Sequence, residues 1–263
     1  MKSKEPLAET VVLLTRGQED ADPLRRELER LGATVVEEPL IRIEPPATWA
    51  PLDQALERLG NYHWITFTSR NAVWAVFGRL HEMHRSGQLP TTLRVAAVGN
   101  ATAQALQSYG VEIDLCPEQS GAEALTEAMI ARGMRGKHVL APGGNLARSE
   151  LRDRLQAAGA RVDSVEVYRT VRSEVTPEVL SALRRGEIDM VTLASPSAVH
   201  NLAAALGSDV SILRSLRLVC IGPTTAQALR ELEVQPRAIA DQPTLDGLLR
   251  AIVQLRSMER SND

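Results

Sequence analysis

Short unbroken apolar runs alternate along this chain with longer stretches in which apolar residues fall three or four apart. "VVLLT" (Val11 to Thr15), "WITFTS" from Trp64, "HVLAP" (His138 to Pro142) and "MVTLAS" from Met190 are too short for helices and read as buried strands. Leu24, Leu28 and Leu31, and later Leu151 and Leu155, keep helical spacing and predict helices with one buried face. Gly32 and Gly159 stand where helices end in a left-handed glycine. "RVAAVG" and "RLVCIG" read as strands that end at a glycine opening a helix. Strand and helix in regular alternation predict doubly wound parallel sheets.

The pattern is written twice. "LRVAAVGNATAQAL" begins at Leu93 and "LRLVCIGPTTAQAL" at Leu216, 123 residues apart. "WITFTSRNAV" from Trp64 matches "MVTLASPSAV" from Met190 at a spacing of 126, and "LRRELERLGATV" from Leu24 matches "LRDRLQAAGARV" from Leu151 at 127. Three blocks in one order at a nearly constant spacing indicate a duplication, hence two sheets. "EEPLIRIEPPATW" (Glu37 to Trp49) and "VEVYRTVRSEVTPE" (Val165 to Glu178) are extended and interrupted by proline, and each follows the first strand–helix block of its half. From the residues alone two layouts stay open. Either both stretches cross between lobes, so that each half hands its first block to the other lobe, or two lobes follow one another with a single linker near residue 130.

Composition narrows the class. The chain has 263 residues, enough for two ordinary domains, with 44% hydrophobic and 24% charged residues, as expected of a globular protein. Only 3% are aromatic, so aliphatic side chains must build the core. A net charge of −3 lacks the basic excess of a nucleic-acid binder. Two cysteines cannot form a disulfide framework and suit a reducing, cytoplasmic compartment. The apolar run near the start is too short for a signal peptide, and no segment approaches a membrane span.

Candidate chemistry lies where parallel sheets bind ligands, beyond the carboxyl ends of the strands. Six stretches fall there: "TRGQ" (Thr15), "TSRN" (Thr68), "GNAT" (Gly99), "PGGN" (Pro142), "SPSA" (Ser195) and "GPTT" (Gly222). They offer hydroxyls and backbone amides, which suit an anion, although the same residues also serve as plain helix N-caps. Arg16, Arg70 and Arg148 add positive charge in or beside them. Tyr168, in "VEVYRT", stands on one of the proposed crossings; a phenol with a pKa of about 10 can donate a proton to a leaving oxygen at neutral pH. His81 and His84 have no third partner for a metal, and the serine-elbow, dinucleotide and P-loop patterns do not occur. "GGNLARSE" has the look of a phosphate cradle without its Lys-Ser/Thr ending.

"VLLTR", "FTSRNAV", "AVGNATAQAL", "VEVYRT", "LASPSAV" and "IGPTTAQAL", in this order and at these spacings, resemble the uroporphyrinogen-III synthase family over roughly Val11 to Leu249. The resemblance implies an α/β fold of two similar doubly wound parallel-sheet lobes joined by a two-stranded linker ladder, with a cleft between them. It implies the swapped layout: residues 1–39 plus 171–263 in one lobe, 44–166 in the other, and linkers at 40–43 and 167–170. It further implies a cytoplasmic monomeric lyase of tetrapyrrole biosynthesis, on the way to haem, sirohaem, cobalamin or chlorophyll. Such an enzyme uses no cofactor or metal, binds neither nucleic acid nor membrane, and makes a transient contact with the preceding pathway enzyme. Its substrate is hydroxymethylbilane, closed with inversion of ring D and loss of water.

By motif matching, Tyr168 assists departure of the hydroxyl. Ser69, Ser195 and Ser197 bind carboxylate arms, with Arg16 and Arg148 as electrostatic help. Thr102 and Thr225 lie near the substrate in the paired "TAQAL" stretches, with Gly99, Gly222 and Thr224 beside them. Many relatives carry proline after the serine of the "FTS" strand; here Arg70 and Asn71 follow, and they join the candidate set. Two other classes fit the loops. One is a non-catalytic two-lobed cytosolic binder of a small anion, and the other an enzyme holding a phosphorylated metabolite at "PGGN".

Overall fold

Strands form where the short apolar runs stand, and helices where the spacing lengthens. The computed structural model describes residues 5–84 and 88–260. In chain order, β1 is Val11–Leu14, α1 Gln18–Arg30, β2 Thr34–Glu37, β3 Ile41–Glu44 and α2 Ala50–Glu57. Next come β4 Trp64–Phe67, α3 Arg70–Glu82, β5 Arg94–Ala97, α4 Asn100–Gln107 and α5 Ala122–Ile130. They are followed by β6 His138–Gly144, α6 Glu150–Ala157, β7 Arg161–Arg172, α7 Pro177–Arg185 and β8 Met190–Leu193. The chain closes with α8 Pro196–Leu206, β9 Arg217–Cys220, α9 Pro223–Glu231, β10 Ala238–Ile239 and α10 Leu245–Arg260.

Two compact units result: Met1–Arg42 with Val171–Asp263, and Ile43–Thr170. The first carries a five-stranded sheet in the order β10-β9-β8-β1-β2, paired in parallel throughout. The second sheet has the order β3-β7-β6-β4-β5, with parallel pairing from β7 to β5. The chain leaves the first unit within β3 and returns within β7, and these strands are neighbours at the edge of the second sheet. The repeat is visible in the order itself: β5, β4, β6 and β7 follow one another as β9, β8, β1 and β2 do.

Each sheet is covered on both faces because consecutive side chains of a strand point to opposite sides. In the first unit Leu13, Val191 and Leu218 pack with α7, α8 and α9, while Val12, Met190 and Val219 pack with α1 and α10. In the second, Ile65, Val95 and Leu140 meet α2, α3 and α4, while Trp64, Ala96 and Val139 meet α5 and α6. Helix ends follow local chemistry. Pro177, Pro196 and Pro223 open α7, α8 and α9, and Gly32 and Gly159 take positive φ just past α1 and α6. His84 lies beyond α3 with φ 54°, so it does not continue the helix face that carries His81.

The amino ends of the second sheet are tied by a polar network. Tyr62 donates to Asp163 Oδ2 at 2.7 Å, His138 Nε2 lies 2.9 Å from the same oxygen, and the Tyr62 and His138 rings are in contact, tilted by 37° with centroids 4.2 Å apart. Burial pushes the Asp163 carboxyl up, but the hydrogen bonds from Tyr62 and His138 outweigh it and hold the group below its ordinary value. Burial first, and then the bond to Asp163, push the Tyr62 phenol up to about 12. A depressed acid stabilises the fold above its unfolded pKa and loses that contribution as pH falls through the folded value; a raised phenol does so below about 10 and loses it as pH rises further. Stability measured by denaturant titration is therefore expected to fall at both extremes. Asp163→Asn should flatten the acid arm, reduce but not remove the alkaline one, since burial of Tyr62 remains, and cost about 1–3 kcal/mol near neutrality; an unchanged acid arm in that variant would contradict the assignment.

Candidate active site

The carboxyl edge of the second sheet gathers the predicted residues of that unit on adjacent strands. Tyr168 stands on β7, Ser69 follows β4 and Gly99 follows β5; Gly144, outside the predicted set, ends β6 between β7 and β4. Ser69 is the N-cap of α3: its extended backbone turns its oxygen to accept from Ala72 N at 3.1 Å. The same hydroxyl lies 3.1 Å from Tyr168 Oη. Arg70 and Asn71 fill the first turn of α3, with the Arg70 guanidinium over the Trp74 ring at 5.5 Å. Gly99 begins α4 without a side-chain cap, and a Cβ there would run into the Ser120 side chain. The first amides of α4 therefore lack a side-chain acceptor at the cap and suit an anion. Thr102 is buried in that turn.

The first unit repeats the plan at its own carboxyl edge. Ser195 caps α8, accepting from Ala198 N at 3.2 Å, with Ser197 exposed in the same turn. Gly222 opens α9 without a side-chain cap, Thr224 is exposed and Thr225 is buried. Arg16 is half-buried after β1, where the Thr15 hydroxyl donates to the Thr192 carbonyl at 2.6 Å and fixes the strand end.

"PGGN" differs from the expected loop. β6 runs through Pro142 to Gly144, and α6 starts only at Glu150, so these glycines do not open a helix and make no phosphate cradle. They line a cavity of about 210 Å³ with Thr66, Thr68, Arg148 and Ser149. Arg148 is exposed and forms no ion pair among the described residues. A larger open hollow of about 970 Å³ lies among Phe77, His81, Leu93 and Tyr109; Glu112 and Asp114 line it, and among the described residues no arginine does.

Two residues at Tyr168 are absent from the sequence-based set. Gly144 lies against the phenol: a Cβ there would come within 2.6 Å of two ring carbons. Asn145 N donates to the Tyr168 carbonyl at 3.2 Å, and its side chain accepts from Thr170 N at 2.8 Å and donates to Thr170 O at 3.3 Å. The "GGN" triplet following an apolar strand was the available signal, but it reads locally as a turn. Cys220 is buried, which pushes its thiol up to about 12 and makes it inert. Among the described residues no His, Cys, Asp and Glu cluster could hold a metal, and no helix is long and apolar enough to cross a membrane.

Comparison with known proteins adds identity. The family model described as "Uroporphyrinogen-III synthase HemD" matches residues 22–250. The uroporphyrinogen-III synthase of Synechococcus elongatus is 32% identical over 263 residues, covering 96% of this chain and 97% of that protein. The Escherichia coli uroporphyrinogen-III synthase is 28% identical, covering 92% of this chain and 99% of that one. The crystal structure of a mutant uroporphyrinogen III synthase from Thermus thermophilus shares the fold, with TM-score 0.65 and 19% identity over 95% of this chain and 99% of that one.

Proposed function

The chain belongs to the uroporphyrinogen-III synthase family and is a lyase that cyclises hydroxymethylbilane, and we propose how its residues divide that work. The observation that carries the division is the Tyr168 phenol on β7, held by Ser69 and Gly144, with the start of α4 on the same sheet lacking a side-chain cap.

Tyr168 gives its proton to the hydroxyl on ring A. The C–O bond breaks, water leaves, and the pyrrole nitrogen lone pair fills the gap to give a cationic azafulvene. The substituted α-carbon of ring D attacks that carbon and forms a spiro centre. The bond from this centre to the ring C methylene then breaks, and the methylene is captured by the other α-carbon of ring D. The proton lost there returns to the phenolate, so one water is released and no electrons are transferred. Pyrroles are intrinsically nucleophilic, so the protein's main task is to hold one curl of a flexible polyacid; such positioning is worth about 7–11 kcal/mol.

The acidic arms of the bilane are taken by the donor rims. In the second unit these are the α4 amides at Gly99, with Arg148, Arg70 and Asn71. In the first they are Arg16, Ser195, Ser197, Thr224 and the α9 amides at Gly222. Thr102 and Thr225, both buried, shape the two "TAQAL" turns. The enzyme acts as a monomer in the cytoplasm and receives its unstable substrate through transient contact with the preceding enzyme. The test is an isomer assay: supply fresh hydroxymethylbilane, oxidise the products and separate them. Type III in excess over the protein-free blank is expected, whereas type I alone at the blank rate would contradict the reading.

A further inference from the structure

We propose that Ser69 is a positioning residue that aims the Tyr168 proton, with Gly144 and Asn145 completing the seat of the phenol. The inference rests on the role of Tyr168 given above, and it moves Ser69 from binding a carboxylate arm to serving the acid.

A hydroxyl carries one proton and two lone pairs. Ala72 N–H, 3.1 Å away, occupies one lone pair of Ser69 Oγ, which lies 3.1 Å from Tyr168 Oη; the proton of that contact is assigned to Ser69. The phenol oxygen is thereby the acceptor on the protein side, and its own proton is left for an acceptor from outside. When that proton leaves, the Ser69 bond becomes a bond to an oxyanion and strengthens. The positive end of α3, a helix of 13 residues, supports negative charge in the same direction through Ala72 and Ser69.

The ring and backbone are fixed with equal care. Pairing of β6 with β7 shifts between Gly143 and Gly144, so that Gly143 faces Glu166 and Gly144 faces Tyr168. The extra residue, Val167, breaks the alternation: Val167 is in the core and Tyr168, next to it, packs against the same core. Gly144 leaves room for the ring there. Beyond the end of β6, the Asn145 side chain bonds both the N–H and the carbonyl of Thr170, and so replaces a strand partner. The phenol is thus held at its oxygen, its face and its backbone by three residues from two other elements.

The test exploits the two duties of Ser69. Asp and Thr both cap a helix, but only Thr can donate to the phenol; a carboxylate would draw the phenol proton inward. Steady-state kinetics on hydroxymethylbilane are compared for Ser69→Thr, Ser69→Asp and Ser69→Ala, with thermal denaturation of each. Ser69→Asp is expected to lose kcat about as far as Tyr168→Phe, about a hundredfold, with KM nearly unchanged. Ser69→Thr should recover most of that loss. Ser69→Ala, which stays informative if the Asp variant folds poorly, should lose about tenfold. In the Tyr168→Phe background Ser69→Asp should cost nothing further, because it acts through a proton already removed.

Equal kcat for the Thr and Asp variants, additive losses in the double variant, or a raised KM with kcat intact would each overturn the inference; the last would return Ser69 to a carboxylate arm. An undiminished Tyr168→Phe would overturn it together with the role of Tyr168. A wild-type protein that makes no type III isomer would instead overturn the functional reading itself.

Discussion

Tyr168→Phe lowers kcat on hydroxymethylbilane about a hundredfold, the lower range of a positioned general acid, and shifts Tm by no more than about 2–4 °C. The substitution removes one oxygen and its proton and leaves the ring. The face of the ring against Gly144 and its packing on the core of the second unit are retained. Ser69 keeps its bond from Ala72 N and, beside a half-buried site, finds water for its proton. What disappears is the assistance to the departing hydroxyl, so the loss belongs in kcat, with KM nearly unchanged. Rapid-quench measurement of bilane consumption, paired with a thermal melt, separates the two quantities. A variant with full kcat and an intact melt would remove the phenol from the chemistry.

Gly144→Ala is expected to damage the same group from the other side of the ring. A Cβ at this position would stand 2.6 Å from two carbons of the phenol and 3.0 Å from its oxygen, distances that neither partner tolerates. The φ of Gly144 is not among the positive values, so the backbone accepts alanine and the ring must move instead. Movement breaks the bond to Ser69, and kcat should fall about tenfold or more, the cost of losing one well-placed hydrogen bond to a developing charge. Overpacking should also lower stability by about 1–3 kcal/mol. Gly143→Ala is the comparison: its Cβ would meet only the Ala147 methyl, at 3.2 Å, so its kinetic effect should be much the smaller. Kinetics and urea denaturation of the two variants check this, and equal kinetic losses would show that the contact with the ring is not what matters.

The fold was largely readable from local pattern because each element announces itself within a few residues. "VVLL" and "WITF" have no polar interruption long enough to break a buried strand, and Leu24 and Leu28 mark the inward stripe of α1. The duplicated blocks then predict two sheets, and the matching strand orders follow from that. Ser69 and Ser195 were legible as candidates but ambiguous in role, since an N-cap and an anion donor require the same residue type. The structure shows Ser69 performing one duty toward Ala72 and another toward a tyrosine 99 residues later in the chain.

Other features had no local signature of the role they play. Gly144 and Asn145 matter because a pairing shift brings them against Tyr168 and Thr170, and pairing register is a property of two strands together. The glycines of "PGGN" suggest a turn, yet the strand continues through them because β7 supplies a partner along that length. The Tyr62–His138–Asp163 network joins residues as far apart as 101 positions, and none of the three sits in a recognisable motif.

The central claim is that this protein turns ring D before closing the macrocycle, and the path of one carbon tests it most directly. Hydroxymethylbilane carrying ¹³C at the hydroxymethyl carbon and at the substituted α-carbon of ring D is turned over by the wild-type protein, and the oxidised product is read by ¹³C NMR. The account predicts one-bond coupling between the two labels, because the hydroxymethyl carbon becomes attached to the carbon that had carried the chain. Labels without one-bond coupling would mean that closure took the unsubstituted position without inversion, and that would contradict it.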